Sequence, residues 1–253
     1  MAQAERIASW MRRALASAGA RGFVVGLSGG LDSAVVARIA QLAAPGAVLG
    51  VVLPCHSDPR DESDAEMLAK HFSIPTTPID LARSYDALVA SLNHGIQSIP
   101  SDLRDHPSTA PAGERSALAN IKARLRMTTL YALANTLDYL VAGTGNRSEI
   151  AVGYFTKYGD GGADLFPIGH LVKREVVALA RDLNVPSSVI DRVPSAGFWP
   201  GQTDEDDLGF SYAALERYLD EGPQGVAPAL AMRIDRMMRS TEHKRKMPGM
   251  LEV

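Results

Sequence analysis

Cysteine is almost missing from this chain: one residue, Cys55, in 253. A single thiol forms no internal disulfide and builds no cysteine-based zinc site, so a disulfide scaffold and a zinc module are set aside. The same scarcity points to a reducing compartment, and the cytoplasm is the expected location. Long apolar runs are missing too. No stretch of about 18 apolar residues is present, so no membrane-spanning helix and no membrane partner are expected. Residues 1–10 carry Glu5 and Arg6 among short apolar residues and lack the core of a signal peptide. An excess of positive charge is also absent, with 26 Lys+Arg against 29 Asp+Glu and a formal net charge of −3. That balance argues against bulk binding of nucleic acid while leaving room for a local basic patch.

What remains is the composition of an ordinary globular protein, 46% apolar and 22% charged. No repeat or low-complexity tract stands out, and residues 1–253 are read as one domain. Ile7, Trp10, Met11 and Leu15 recur at helical spacing and predict an opening amphipathic helix over 4–18. Residues 23–27 read as a buried strand, and Leu31, Val35, Ile39 and Leu42 then mark a helix stopped by Pro45-Gly46. Residues 48–53 form a second buried run. Asp58-Pro59 supplies a capping oxygen and a first-turn proline for a helix over 60–72. Pro100, Pro107, Pro111 and Gly113 interrupt the pattern, so 99–113 is expected to be a mobile loop. Helical spacing resumes over 116–137, a short strand follows at 139–143, and Val172, Val176, Leu179 and Leu183 mark another helix. Thr203 precedes the acidic run Asp204-Glu205-Asp206-Asp207 as a helix cap would. Strand, helix, strand, helix in this order predicts an α/β fold, a doubly wound parallel sheet flanked by helices, Rossmann-like in outline.

The richest segment is Gly26-Leu27-Ser28-Gly29-Gly30-Leu31-Asp32-Ser33, set between a strand and a helix. Adjacent glycines let the backbone approach a ligand and aim N–H groups at it. Ser28 and Ser33 add hydroxyls, and the helix start adds its positive dipole end. These features suit phosphate. Asp32 would repel a bare phosphate, and a divalent cation such as Mg²⁺ bridging the two removes the conflict. The segment is neither a Walker A loop nor the Gly-x-Gly-x-x-Gly fingerprint of dinucleotide folds. Its plain reading is a glycine-rich turn with Asp32 and Ser33 as helix-start residues.

The Ser-Gly-Gly-x-Asp-Ser order resembles the pyrophosphate loop of the N-type ATP pyrophosphatases. Later segments narrow the resemblance: Lys122, Arg124 and Arg126 on one helix; Gly143-Thr144-Gly145-Asn146-Arg147-Ser148-Glu149 after a strand; and the aromatic, glycine-rich run 154–164. They are followed by residues 194–205 and by Thr241-Glu242-His243-Lys244-Arg245. In this order they are similar to the NAD synthetase family, from about Gly26 to Arg245. The resemblance implies ATP-dependent amidation of deamido-NAD with ammonia, through an acyl-adenylate, releasing AMP and pyrophosphate. It implies that Gly26, Leu27, Ser28, Gly29, Gly30, Leu31, Asp32, Ser33, Thr144, Lys173 and Ser195 bind ATP. Arg124, Lys157, Asp164, His243 and Lys244 would bind deamido-NAD, with the C-terminal segment covering it, and Asp32 and Glu149 would hold Mg²⁺. It also implies a homodimer.

Each residue has a duller reading. Arg124 and Arg126 read alone as solvated helix charges, Glu149 as a first-turn carboxylate, Ser195 as a turn residue, and 241–246 as a solvated tail. Cys55-His56 is no catalytic dyad, because neighbours on a strand point to opposite faces. Glutamine-dependent relatives carry an extra amidase domain with a cysteine nucleophile, for which this length leaves no room. Free ammonia, or ammonia from another chain, is the expected donor. Two rivals remain: a tRNA-modifying member of the same superfamily, and a nucleotide-binding regulator that has lost turnover.

Overall fold

The computed structural model describes residues 1–104, 113–195, 197, 199 and 201–251. The chain begins with α1 (Ala2–Ala18), which buries Ile7, Met11 and Leu15 and ends where Gly19 turns left-handed at φ 64°. Next come β1 (Gly22–Gly26), α2 (Leu31–Ala43), β2 (Val48–Val52), α3 (Pro59–Phe72) and β3 (Thr76–Pro78). They are followed by α4 (Ala82–Gln97) and the short α5 (Ser101–Arg104). The second half runs α6 (Gly113–Leu137), β4 (Tyr139–Val141), α7 (Arg147–Val152), α8 (Lys173–Asp182) and α9 (Ser187–Ile190). It closes with α10 (Asp204–Leu208), α11 (Tyr212–Glu221), α12 (Pro228–Ser240) and a tight turn over Glu242–Lys244.

Among the described residues the four strands are all parallel, in the spatial order β3-β2-β1-β4. The expected doubly wound sheet is present. Strand alternation divides its core. Phe23 and Val25 of β1 join Met11, Val35, Ile39 and Leu179 on one face. Val24 points the other way and joins Val51, Met127, Leu130 and Val141. Burying each such side chain contributes roughly 1.5–3 kcal/mol, which is why a period-two apolar run holds its register. A third cluster, Val152, Leu208, Leu215 and Ile234, ties α7 to the C-terminal helices.

Expected helix signals hold at named atoms. Asp58 accepts from the Arg60 N–H at 2.9 Å to start α3, and Thr203 accepts from the Asp206 N–H at 3.2 Å to start α10. The strand expected over 139–143 is shorter as a ladder element, with Ala142 adding an isolated parallel bridge to Leu165. Within the stretch expected as a loop, Ser101–Arg104 is helical, and 105–112 lies outside the described residues. No described helix is long and apolar enough to cross a membrane.

Candidate functional site

After β1 the chain proceeds to β2 and β3 on one side, and it later returns to place β4 on the other. Connections therefore diverge at the carboxyl ends of β1 and β4. A crevice opens where they part, which is where open α/β sheets bind ligands. A cavity of about 1240 Å³ lies there. The glycine-serine turn enters it from β1, and Thr144 and Glu149 enter from the segment after β4.

The turn has an open helix start and a fixed curl. Gly30 is the N-cap of α2 and no side chain caps that helix, so its first N–H groups are left for a ligand. The Ser33 hydroxyl donates to the Gly30 carbonyl at 2.9 Å, and the Gly30 N–H donates to Ser28 Oγ at 3.2 Å, which fixes the loop's curl. Gly29 has φ 76°, and a Cβ there would sit 2.6 Å from the Asp61 carbonyl oxygen. Only glycine lets the turn lie this close to α3.

Beside the turn lies a buried charge cluster. Lys173 is 7% exposed. Its Nζ stands 2.5 Å from Asp32 Oδ2 and 3.7 Å from Glu149 Oε1. Burial opposes the ammonium, but Asp32 and Glu149 outweigh it and hold the Lys173 pKa above its ordinary value. Glu149 moves the other way. Burial, reinforced by Asp32, pushes it up to about 8 in spite of Lys173.

Local sequence explains how Glu149 is held. Asn146 Oδ1 accepts from the Glu149 N–H at 3.1 Å, and Glu149 Oε2 accepts from the Asn146 N–H at 3.2 Å. This reciprocal capping box starts α7. Asn146 Nδ2 also donates to Asp32 Oδ1 at 3.2 Å. One asparagine thus joins the segment after β4 to the start of α2. The first-turn reading of Glu149 and the ligand reading describe the same residue, with one oxygen committed to the cap.

Asp204 adds a further carboxylate, 4% exposed. It accepts from the hydroxyls of Tyr212 at 2.9 Å and Tyr154 at 3.2 Å. Burial raises its pKa, though Lys173 and the phenols oppose the rise. Sequence reasoning read this residue only as part of a helix start. A buried aspartate inside an acidic first turn carries no distinguishing signal.

The sequence-predicted residues fall into two groups. Gly26, Leu27, Ser28, Gly30, Leu31, Asp32, Ser33, Thr144, Glu149, Lys173 and Ser195 all line the cavity, and Gly29 faces α3 instead. Ser195 accepts from the Gly197 N–H at 3.1 Å, so it is a turn residue as well as a lining one. Of Arg124, Lys157, Asp164, His243 and Lys244, only Lys244 lines the cavity. Arg124 Nε donates to the Lys157 carbonyl at 3.3 Å, and Lys157 Nζ donates to the His243 carbonyl at 2.5 Å. These cations gather beside the cavity. Asp164 is spent within the fold, accepting from the Val141 N–H at 2.8 Å and the Tyr131 hydroxyl at 2.9 Å.

Lys244 donates to the carbonyls of Gly153 and Phe155, both at 2.8 Å. Gly153 ends α7, and a Cβ on it would meet Thr241, so the C-terminal turn seats directly on that glycine. Cys55 is buried, while His56 reaches Asp86 of α4 at 2.8 Å. Both residues lie beyond the end of β2 at Val52, so the strand argument does not apply to them, and His56 pairs with Asp86. Lys122 and Arg126 line up four residues apart on the inward side of α6, and Arg124 is exposed. Arg126 donates to the Leu53 carbonyl at 3.1 Å and to Ser57 Oγ at 3.0 Å, bracing the loop after β2.

Comparison with known proteins agrees with this geometry. A family model described as NAD synthase matches residues 3–248. An NH(3)-dependent NAD(+) synthetase from Carboxydothermus hydrogenoformans is 47% identical over 244 residues, 96% of this chain and 94% of the relative. A structure of NMN synthetase from Francisella tularensis aligns with a TM-score of 0.88 at 34% identity, covering 99% of this chain and 98% of that one. NH3-dependent NAD synthetase from Campylobacter jejuni aligns with a TM-score of 0.76 at 28% identity, covering 99% and 97%.

Proposed function

The chain belongs to the NAD synthase family, and from that membership and the geometry of the cavity we infer that it converts deamido-NAD to NAD⁺, using ammonia and ATP. The observation that carries the reading is the buried cluster of Asp32, Lys173 and Glu149 beside the uncapped start of α2. The reaction brings two polyanions together, so charge neutralisation and positioning must supply most of the rate.

In the first step a carboxylate oxygen of the pyridine ring attacks the α-phosphorus of ATP. A new P–O bond forms, the α–β bond breaks, and pyrophosphate leaves with the electron pair. Ammonia then attacks the acyl carbon. The C–N bond forms, AMP departs, and the nitrogen loses a proton to give the amide. The N–H groups of the turn and the dipole of α2 are suited to the triphosphate. Lys173 is suited to the negative charge that grows on pyrophosphate. Thr144 and Ser195 also line the cavity and offer hydroxyls to ATP. Arg124, Lys157 and Lys244 offer positive charge to the dinucleotide from the C-terminal side, and His243 offers a ring nitrogen.

The donor set fits Mg²⁺. Asp32 and Glu149 are hard oxygen ligands, largely buried side by side with one ammonium between them. Among the described residues no three His, Cys, Asp or Glu side chains group as a metal site, so phosphate oxygens and water would complete the shell. Mg²⁺ held there supplies positive charge to the phosphates. A cytoplasmic location accords with one unpaired thiol and with ATP as co-substrate.

A homodimer is the proposed assembly. No residue of α4 is buried, and Leu88, Leu92 and Ile96 repeat every four residues along it, each about two-fifths exposed or more. A second copy of this chain would cover that stripe. Leu92→Asp is expected to shift the protein to monomer in sedimentation velocity, and an unchanged dimer would remove α4 from the interface.

One observation favours a second reading of substrate size, since the NMN synthetase structure matches more closely than the Campylobacter jejuni NAD synthetase does. The test of both is direct. The protein is supplied with ATP, Mg²⁺, ammonium and either deamido-NAD or its mononucleotide counterpart, and amide, AMP and pyrophosphate are measured. Amide from the dinucleotide with equal AMP and pyrophosphate supports the main reading. Preference for the mononucleotide replaces it with the second, and formation of ADP defeats both.

A further inference from the structure

Arg192 follows α9 at the start of the segment that carries Ser195, and none of the residue roles argued above uses it. Its guanidinium is divided between two carboxylates of α3: one nitrogen lies 2.5 Å from Asp61 Oδ1 and another 2.9 Å from Asp64 Oδ2. Asp61 and Asp64 are three residues apart, so they share one side of their helix. That same stretch of α3 backs the phosphate turn. A Cβ on Gly29 would stand 2.6 Å from the Asp61 carbonyl oxygen and 2.8 Å from the Asp64 Cβ. The segment after Arg192 touches it too, because a Cβ on Gly197 would stand 3.3 Å from Asp61 Oδ2. The Gly197 N–H in turn donates to Ser195 Oγ. Three pieces of chain far apart in sequence therefore meet at one helical turn: residues 28–30, residues 61–65, and Arg192 with Gly197.

We propose that Arg192 is a positioning residue for ATP, acting through Asp61 and Asp64 to hold the Ser195 segment and the phosphate turn at a fixed separation. The proposal rests on the functional reading above and assigns ATP one further determinant. Charge supports it. Two carboxylates beside a phosphate site repel the ligand, and the guanidinium offsets one of those charges while fixing both side chains. Geometry supports it as well. A planar fork reaches two carboxylates at once, which a lysine ammonium does not reproduce. The guanidinium and both carboxylates are no more than about one-third exposed, so the bridge holds their geometry in a partly buried setting.

The test measures ATP affinity by titration calorimetry, with Mg²⁺ present, alongside steady-state kinetics. Arg192→Met is expected to weaken ATP binding and raise the KM for ATP by about tenfold, with the KM for deamido-NAD changed less than about twofold. Arg192→Lys is expected to recover part of that loss. Asp61→Asn with Asp64→Asn is expected to weaken ATP as Arg192→Met does, because the effect passes through the carboxylates. ATP affinity that is unchanged in Arg192→Met overturns the proposal. So does unchanged or tighter binding in the double variant, since Arg192 would then act on the phosphates directly. Equal losses for both substrates together with a lowered melting temperature would reduce the contact to a structural one and also overturn it. Failure of the wild-type protein to bind ATP defeats the functional reading itself, an outcome distinct from the others.

Discussion

The two walls of the cavity are made differently. On the phosphate wall, Asp32, Asn146, Glu149 and Lys173 are wholly or largely buried, and they bond to one another across segments more than a hundred residues apart. On the C-terminal side, Lys244 on the cavity wall and Arg124 and Lys157 beside it reach backbone carbonyls, and the contacts of the last two are exposed. Buried side-chain networks hold charge in a low dielectric, where geometry is over-determined. Cations nearer the surface, such as Arg124, are screened by salt, while burial lowers the pKa of Lys244. The first wall suits chemistry at phosphorus, where small displacements are costly. The second suits recruitment of a large anionic substrate.

The largest effect that would test this contrast is at Asp32. Asp32→Ala is expected to reduce pyrophosphate release by on the order of a thousandfold, as loss of a charge-positioning group does at such sites. Near-normal release would show that the phosphate wall does not depend on this carboxylate. Lys173→Met comes next. It leaves two carboxylates facing each other without their cation, and is expected to lower stability by about 3 kcal/mol in denaturant unfolding. Recovery of much of that loss by millimolar Mg²⁺ would support the metal assignment, and no recovery would count against it.

On the opposite wall Lys244→Met is expected to be milder. It orphans two carbonyls, for about 1–2 kcal/mol, and raises the KM for deamido-NAD a few-fold with the KM for ATP unchanged. A comparable rise for ATP would erase the distinction between the walls. The smallest effect concerns pH. Burial raises the Asp204 pKa above the ordinary 3.8, so the folded state keeps a proton that the unfolded state has lost. Stability therefore falls as pH rises from about 3.8 through the raised value, then levels off. Asp204→Asn lacks that decline, and its melting temperature should gain on wild type across the same window. Parallel curves would show that Asp204 ionises normally.

The sheet and the phosphate wall were readable because buried strands leave compact apolar runs and because the glycine-serine turn combines several demands in eight residues. β3 left no such trace: Thr76-Thr77-Pro78 is short and half exposed. α4 carries a visible stripe at Leu88, Leu92 and Ile96, yet no buried face anchors it. The inward side of α6 was within reach, since Lys122 and Arg126 are four residues apart and Arg124 faces away. Arg192 and Asp204 were not. Their partners lie far off in sequence, and nothing local separates a buried carboxylate or a bridging arginine from a surface one. Local spacing reveals elements and turns, while convergence belongs to the tertiary fold.

The seat of Lys244 on Gly153 and Phe155 bears on synthesis. The carbonyl of Gly153 precedes the lysine by 91 residues. At translation rates of roughly 5–20 residues per second, the end of α7 waits about 5–18 s for the group that closes over it. During that interval the phosphate wall has most of its parts while Lys244 and its turn have not yet been made. A nascent chain halted before residue 241 would thus expose a nucleotide cleft lacking its second substrate's clasp.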